Sequence, residues 1–316
     1  MRERKNAAKS TGRHFIDSLD LSPPEYKSLF DLANQIEEGP SKHASRCAGK
    51  LMATLFYEPS TRTRLSFEAA MMRLGGQVLS VSDVATSSVA KGESLADTIR
   101  TVGGYADLIV MRHPREGAAR LAALYSPVPL INGGDGAREH PSQTLTDLFT
   151  IRTFKGRLDD LTIAFCGDLR YGRTVHSLLR ALAHRSDIRF VLISPEELRL
   201  PNSTKDDVAS SGSNAEIQES ASMEDGLRQC DVLYMTRIQK ERFFNEEDYI
   251  KLRDTYILTP EKMKQAKKDA IVMHPLPRVT EISQEVDTDE RAIYFQQSRL
   301  GMLVRMALIL HLLEET

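Results

Sequence analysis

Hydrophobic positions along this chain fall into short unbroken runs separated by stretches in which apolar residues recur at helical spacing. The runs at 51–56, 106–111, 128–131, 161–166, 188–193, 231–235 and 270–273 have the length of strands buried on both faces. Val78, Leu79 and Val81 mark one more short strand after the Gly75-Gly76 turn. Between the runs, Ser22-Pro23-Pro24 opens a helix with Tyr26, Leu29, Phe30 and Ala33 on one face. Leu65, Ala69 and Met72 give the helix after the first strand an apolar face, and 116–125 predicts another helix. Leu300, Leu303, Val304, Ala307, Leu308 and Leu312 form a stripe on a helix over 298–313. Strands alternating with helices predict βαβ units, hence an α/β chain of mainly parallel sheets flanked by helices. Two stretches resist this scheme. Asn132-Gly133-Gly134-Asp135-Gly136 predicts a turn that ends its strand, and the polar stretch 201–222 predicts only a connection or an irregular helix.

The series breaks between Thr150 and Asp160, where the charged segment 155–160 precedes a new βαβ series. A length of 316 residues has room for two domains, and we place them at 1–150 and 151–297. Composition then narrows the partners. With 42 Lys+Arg against 44 Asp+Glu the formal charge is −2, so nothing favours a nucleic acid. No apolar run approaches the ~18–20 residues of a membrane span, so no membrane partner is expected. Cys47, Cys166 and Cys230 are too scattered for a disulfide framework or a zinc site, which fits a reducing, cytoplasmic compartment. The basic segment 1–13 reads as a solvated arm.

Candidate chemistry gathers where strands end. Ser60-Thr61-Arg62-Thr63-Arg64 stands at a strand-to-helix turn, where unpaired amides and the helix dipole favour an anion. Locally, capping of the helix by Ser60 or Thr61 explains the motif as well as a phosphate cradle does. Run 106–111 leads into Arg112, and the carboxyl end of a parallel strand is where ligands bind. His140-Pro141-Ser142-Gln143-Thr144 makes a second anion-facing helix start, with His140 and Gln143 spaced to face one spot. A polar loop at 82–94 carries Ser87 and Lys91. Gly167-Asp168-Leu169-Arg170-Tyr171-Gly172 resembles a dinucleotide turn, but the third glycine is misplaced and no acidic residue ends the next strand, so NAD-type binding is a weak alternative. Arg237, Gln239 and Arg242 cluster after run 231–235, and His274-Pro275-Leu276-Pro277-Arg278 follows the last strand.

In this order, Ser60-Thr61-Arg62-Thr63-Arg64, Ser87-x-x-x-Lys91-Gly92-Glu93, Arg112, Asp135-Gly136-x-x-x-His140-Pro141-x-Gln143-Thr144 and His274-Pro275-Leu276-Pro277 resemble the aspartate and ornithine carbamoyltransferases, from about Ser22 to the C-terminus. The resemblance implies carbamoyl transfer from carbamoyl phosphate without metal or other cofactor. It implies that Ser60, Thr61, Arg62, Thr63, Arg112, His140 and Gln143 bind carbamoyl phosphate, joined by Ser87 and Lys91 from a neighbouring subunit. A homotrimer with shared sites is therefore expected. Arg62, Thr63, Lys91, Arg112 and His140 are the implied catalytic residues. Pro275, where the ornithine type has cysteine, points to L-aspartate as acceptor and to pyrimidine synthesis. Arg173, Arg237, Gln239 and the backbone of Pro275 and Leu276 would hold the aspartate, with Leu276–Pro277 cis. Glu58 and Arg242 would join the domains on closure, and the helix at about 298–316 would return to complete the first domain. The chain departs from the family at Gly133 and Ser142, where Ala and Thr are usual. Ornithine as acceptor and a non-catalytic homologue are the alternatives, and a regulatory chain or pathway enzyme is a further partner to test.

Overall fold

The buried apolar runs pair as parallel strands in two separate sheets. The computed structural model describes residues 13–82, 92–136, 139–212, 214–238, 245–253 and 256–314. One unit comprises the chain up to Thr146 together with Leu300 onward, and the other comprises Asp147–Arg299.

In the first unit, β1 (Leu51–Phe56), β2 (Gln77–Val81), β3 (Leu108–His113) and β4 (Leu130–Asp135) lie in the order β2-β1-β3-β4. All neighbours are parallel, and Phe56 is in register with Arg112. The flanking helices are α1 (Pro23–Glu38), α2 (Thr61–Arg73), α3 (Leu95–Gly103), α4 (Ala118–Tyr125) and the first part of α5 (Pro141–Lys155). At the start of α1, Glu25 reaches back to the Ser22 N–H at 2.6 Å, which completes the predicted start with a capping contact.

Two expectations fail here for physical reasons. The predicted face of α2 is its outer face: Leu65 and Met72 are 51% and 66% exposed, whereas Thr63, Phe67, Ala70 and Met71 are buried. Two apolar stripes run along this helix, and the aromatic one is inside. Arg305 lies over the Phe67 ring at 5.0 Å and helps to hold it there. The turn expected at 132–136 comes later, because β4 continues buried through both glycines to Asp135. Asn132 makes this affordable by satisfying polar groups within the strand. It donates to Ile16 O at 3.0 Å and to Asp135 Oδ1 at 3.2 Å, and accepts from the Gly134 N–H at 2.8 Å. A register shift between Met111 and His113 absorbs the irregular geometry.

In the second unit, β5 (Leu161–Cys166), β6 (Ile188–Ile193), β7 (Glu216–Ser220), β8 (Val232–Met235) and β9 (Ile271–Met273) form the parallel order β7-β6-β5-β8-β9. Helices α6 (Arg173–Ala183), α7 (Asn202–Ser210), α8 (Met223–Gln229), α9 (Glu246–Arg253) and α10 (Pro260–Met263) connect them. The stretch 201–222 is therefore neither a plain connection nor an irregular helix, since it holds α7 and edge strand β7. Only Ile217 of β7 is strongly apolar, so pairing with β6 supplies what its sequence pattern lacks. Phe165 packs on Phe190 and Tyr234 at ring separations of 6.1 and 5.5 Å.

The last helix, α11 (Tyr294–Glu314), begins before the predicted Ser298 and passes from the second unit into the first. Met306, Ile309 and Leu310 are buried as well as the predicted stripe, so it is a helix buried nearly all round. Its C-terminal part packs on the first domain, where Arg46 pairs with Glu314. The fold is thus two parallel-sheet domains flanked by helices, with the C-terminal helix on the first. Among the described residues, no helix is long and apolar enough to cross a membrane.

All three cysteines are free and buried. Burial pushes the thiols up, to about 11 for Cys47 and about 12 for Cys230, and Cys166 is raised as well. Iodoacetamide at neutral pH should leave all three unmodified in the native protein and modify all three after unfolding in guanidinium. Mass spectrometry reads the count, and rapid native labelling would contradict this packing.

Candidate active site

Parallel strands place their carboxyl ends on one edge, and ligands bind where successive connections leave that edge in opposite directions. In the first sheet this point lies between β1, whose connection leads to β2, and β3, whose connection leads to β4. The Tyr57 N–H bonds to Arg112 O at 2.9 Å, so the chain leaving β1 is fixed against β3 before α2 begins. Ser60 is the N-cap of α2 in extended conformation, and its side chain makes no capping bond. The first intrahelical bond runs from the Arg64 N–H to Ser60 O at 3.3 Å. Amides of the first turn have no carbonyl partner within a helix, so they present donors at the positive end of the dipole. Thr61 and Arg62 are exposed there, Ser60 is half-buried and Thr63 is buried. Arg64 turns along the helix toward Glu68 at 3.8 Å. Glu68 also accepts from Thr54 Oγ1 at 2.9 Å and Ser80 Oγ at 2.7 Å, bracing α2 on the sheet.

Arg112 is a buried cation at this edge, 7% exposed. Its Nη2 donates to Glu58 Oε1 at 3.0 Å, and its Nη1 donates to Gly133 O at 3.3 Å. His140 Nε2 is also 3.3 Å from Nη1. A guanidinium has donors only, so the imidazole accepts at Nε2, and in the neutral ring the proton then sits on Nδ1, 3.4 Å from Ser142 Oγ. Glu58 and His140 therefore both contact Arg112 directly. Gln143 is half-buried in the first turn of α5, its N–H bonded to His140 O at 2.8 Å.

The sequence treated Gly134 only as a turn residue, yet it makes this cluster sterically feasible. It has φ 118°, and a Cβ there would lie 3.1 Å from Arg112 Nη1 and 3.5 Å from His140 Cδ2. At Gly133 an added Cβ would meet Met111 O at 3.3 Å, so the alanine usual in the family fits with a small adjustment. Asp135, also unassigned by the sequence, accepts from the Gly117 N–H at 2.9 Å and ties the end of β4 to α4.

The second sheet has its corresponding point between β5 and β8. The glycine turn after β5 is closed on itself. A Cβ on Gly167 would lie 2.3 Å from Thr236 O, and the buried Asp168 accepts the Tyr171 N–H at 2.9 Å. Asp168 thus fills the turn that a dinucleotide reading would open to a pyrophosphate. Arg173 opens α6 and Arg237 follows β8, both half-buried at the carboxyl edge. After β9 come Pro275 and Leu276, and the Leu276–Pro277 bond is cis. His274 and Glu281, which the sequence left without a role, bracket this loop: His274 Nε2 is 2.7 Å from Glu281 Oε1, and Nδ1 accepts the Leu276 N–H at 2.8 Å. Ser87, Lys91, Gln239 and Arg242 lie outside the described residues. Among the described residues, no cluster of three or more His, Cys, Asp or Glu could hold a metal ion.

Burial pushes the Glu281 carboxyl up, but hydrogen bonds from His274 and from backbone outweigh it and hold the group below its ordinary value. A depressed folded pKa means stability that is present above the unfolded value and lost as pH falls through the folded one. The thermal midpoint of Glu281→Gln should accordingly drop less than that of the wild type between about pH 6 and about pH 4. Scanning calorimetry across that range checks it, and equal slopes would contradict it.

Comparison with known proteins agrees with this architecture. Residues 13–153 match the family model described as the aspartate/ornithine carbamoyltransferase carbamoyl-P binding domain, and residues 159–312 match the corresponding Asp/Orn binding domain. The chain is 58% identical over 302 residues to the aspartate carbamoyltransferase catalytic subunit of Clostridium botulinum, covering 96% of this chain and 98% of that one. The catalytic subunit of M. jannaschii aspartate transcarbamoylase has a similar structure, with a TM-score of 0.89 and 50% identity over 96% of this chain and 99% of that one. Aspartate transcarbamoylase from Trypanosoma cruzi, in complex with carbamoyl phosphate and aspartate, gives a TM-score of 0.86 and 39% identity over 98% of this chain and 99% of that one. Matched along nearly its whole length by both domain models in sequence order, this chain belongs to the aspartate/ornithine carbamoyltransferase family.

Proposed function

We propose that this protein transfers the carbamoyl group of carbamoyl phosphate to L-aspartate, giving N-carbamoyl-L-aspartate and phosphate in pyrimidine synthesis. The observation that carries the reading is the buried Arg112 guanidinium, held by Glu58 and His140 at the sheet edge where α2 and α5 begin. A neutral amine attacks the carbamoyl carbon, negative charge develops on its oxygen, and collapse breaks the C–O bond to phosphate, which leaves with the proton that the amine nitrogen gives up. Donors fixed at that oxygen lower the barrier most. Arg112 and Thr63 fill this role, joined by His140 once its ring proton stands on Nε2. Ser60, Thr61, Arg62 and the first amides of α2 take the phosphate, with Ser87 and Lys91 of a neighbouring chain, and Gln143 orients the carbamoyl amide. Arg173, Arg237 and Gln239 take the carboxylates of aspartate as charge-assisted hydrogen bonds. The carbonyls of Pro275 and Leu276 receive its amine. Closure, with Glu58 passing to Arg242, holds the two substrates in reacting geometry and excludes water. In this reading 1–150 with 298–316 is the carbamoyl-phosphate domain and 151–297 the aspartate domain.

Sites shared between chains need a neighbouring subunit, and a cyclic homotrimer is a closed ring that such a heterologous interface allows. The outer face of α2 and edge strand β2 supports this, because Leu65, Met72 and Leu79 stand exposed there just before the segment that carries Ser87 and Lys91. The relatives' name of catalytic subunit makes a regulatory chain a partner to test, and three free cysteines favour the cytoplasm.

Offered carbamoyl phosphate with L-aspartate and L-ornithine side by side, the purified protein should form carbamoyl-aspartate alone, and citrulline would overturn the acceptor assignment. Arg112→Ala should lower kcat by about 10²–10³ with the fold intact by circular dichroism. Mixing inactive Arg62→Ala with inactive Lys91→Ala protein should restore part of the activity. Absence of recovery despite proven subunit exchange would remove the shared site.

A further inference from the structure

The loop after β9 is locked by a buried hydrogen-bond network that extends well beyond it. Because His274 Nδ1 accepts the Leu276 N–H, the neutral ring carries its proton on Nε2 and donates it to Glu281 Oε1. The other oxygen, Glu281 Oε2, accepts the N–H groups of Val279 at 3.0 Å and Thr280 at 3.1 Å. On the far side, the His274 N–H donates to Gln297 Oε1 at 2.9 Å, and Gln297 Nε2 donates to Asp147 Oδ1 at 2.7 Å. Asp147 Oδ2 accepts the Tyr234 hydroxyl at 2.8 Å. Tyr234 is also hydrogen-bonded to the side chain of Thr174, the neighbour of Arg173. Asp147 and Tyr234 are fully buried, His274 and Gln297 are 1% exposed and Glu281 5%. Polar groups buried this deeply and joined in sequence fix one arrangement, because any break strands a partner without water.

We propose that His274 and Glu281 are positioning residues for the acceptor amino acid. They set the backbone of Pro275 and Leu276 through the Leu276 amide, while Gln297, Asp147 and Tyr234 keep that loop in step with the start of α6 at Arg173. This rests on the reading that Arg173, Pro275 and Leu276 hold the acceptor. His274 and Glu281 act only through the backbone, and the network lies wholly within the second unit, so contacts to carbamoyl phosphate are untouched.

The test compares the full-length wild type with Glu281→Gln, His274→Gln and His274→Asn. Asparagine places an acceptor where Nδ1 stands and keeps the Leu276 bond, whereas glutamine reaches toward Glu281 and loses it. Glu281→Gln and His274→Gln should raise KM for aspartate about tenfold or more and leave KM for carbamoyl phosphate within about twofold, and His274→Asn should recover part of the loss. An aspartate KM unmoved in folded variants overturns the proposal. So does a parallel change of both KM values and kcat that merely follows lost thermal stability. If the variants do not fold, hydrogen exchange in the unliganded wild type decides: slow exchange of the Leu276 and Thr280 amides supports a preset loop, and fast exchange overturns it. A wild type that forms no carbamoyl-aspartate removes the acceptor reading itself, whereas an active wild type with unmoved variants removes this proposal alone.

Discussion

A guanidinium cannot shed its charge, so burying Arg112 obliges the structure to surround it with acceptors. Glu58, Gly133 O and the His140 ring supply them, one each from the segments that follow β1, lie within β4 and precede α5. Parallel pairing brings those segments together, since Phe56 and Arg112 share a register and β4 lies on the other side of β3. The charge in turn explains local oddities. β4 keeps Gly134 inside a buried strand because a side chain there would crowd both Arg112 and His140. Asn132 then has to satisfy the backbone that such a strand leaves irregular.

The second unit solves a related problem with half-buried arginines instead of a buried one. Its carboxyl edge carries Arg173 and Arg237 on neighbouring connections and a loop whose backbone, rather than side chains, faces the proposed acceptor. A backbone recognises a ligand only if it is held still. His274 and Glu281 hold it from within the protein, which accounts for a histidine and a carboxylate buried where neither is proposed to touch substrate. In the proposed reaction the two units divide the chemistry: one would present fixed positive charge to a phosphate and a developing oxyanion, the other fixed acceptors and arginines to an amino acid.

Most strands were legible because burial on both faces demands continuous apolar runs, and the strand ends were legible because Arg112 and His274 follow such runs directly and Arg237 follows one residue later. Less was legible where packing chose between equal options. The stripe of Leu65 and Met72 on α2 is as periodic as that of Phe67, Ala70 and Met71, and tertiary packing, Arg305 over Phe67 included, distinguishes them. β7 was hidden because an edge strand needs few apolar residues. Roles for Gly134, Asp135, Gln297 and Asp147 depend on partners distant in sequence, which no local spacing reveals. The resemblance to a known family supplied candidate site residues that single stretches left undecided, such as Ser60, where capping and anion binding read alike; in the structure its side chain makes no capping bond.

The central claim is that one fixed cation in the first unit and the arginines of the second serve a single two-substrate reaction. Calorimetric titration with an analogue joining a phosphonoacetyl group to L-aspartate tests it directly, using the wild type, Arg112→Ala and Arg237→Ala. One tight site per chain is expected in the wild type, weakened by about 10² or more in each variant. Tight binding that survives either substitution would contradict it.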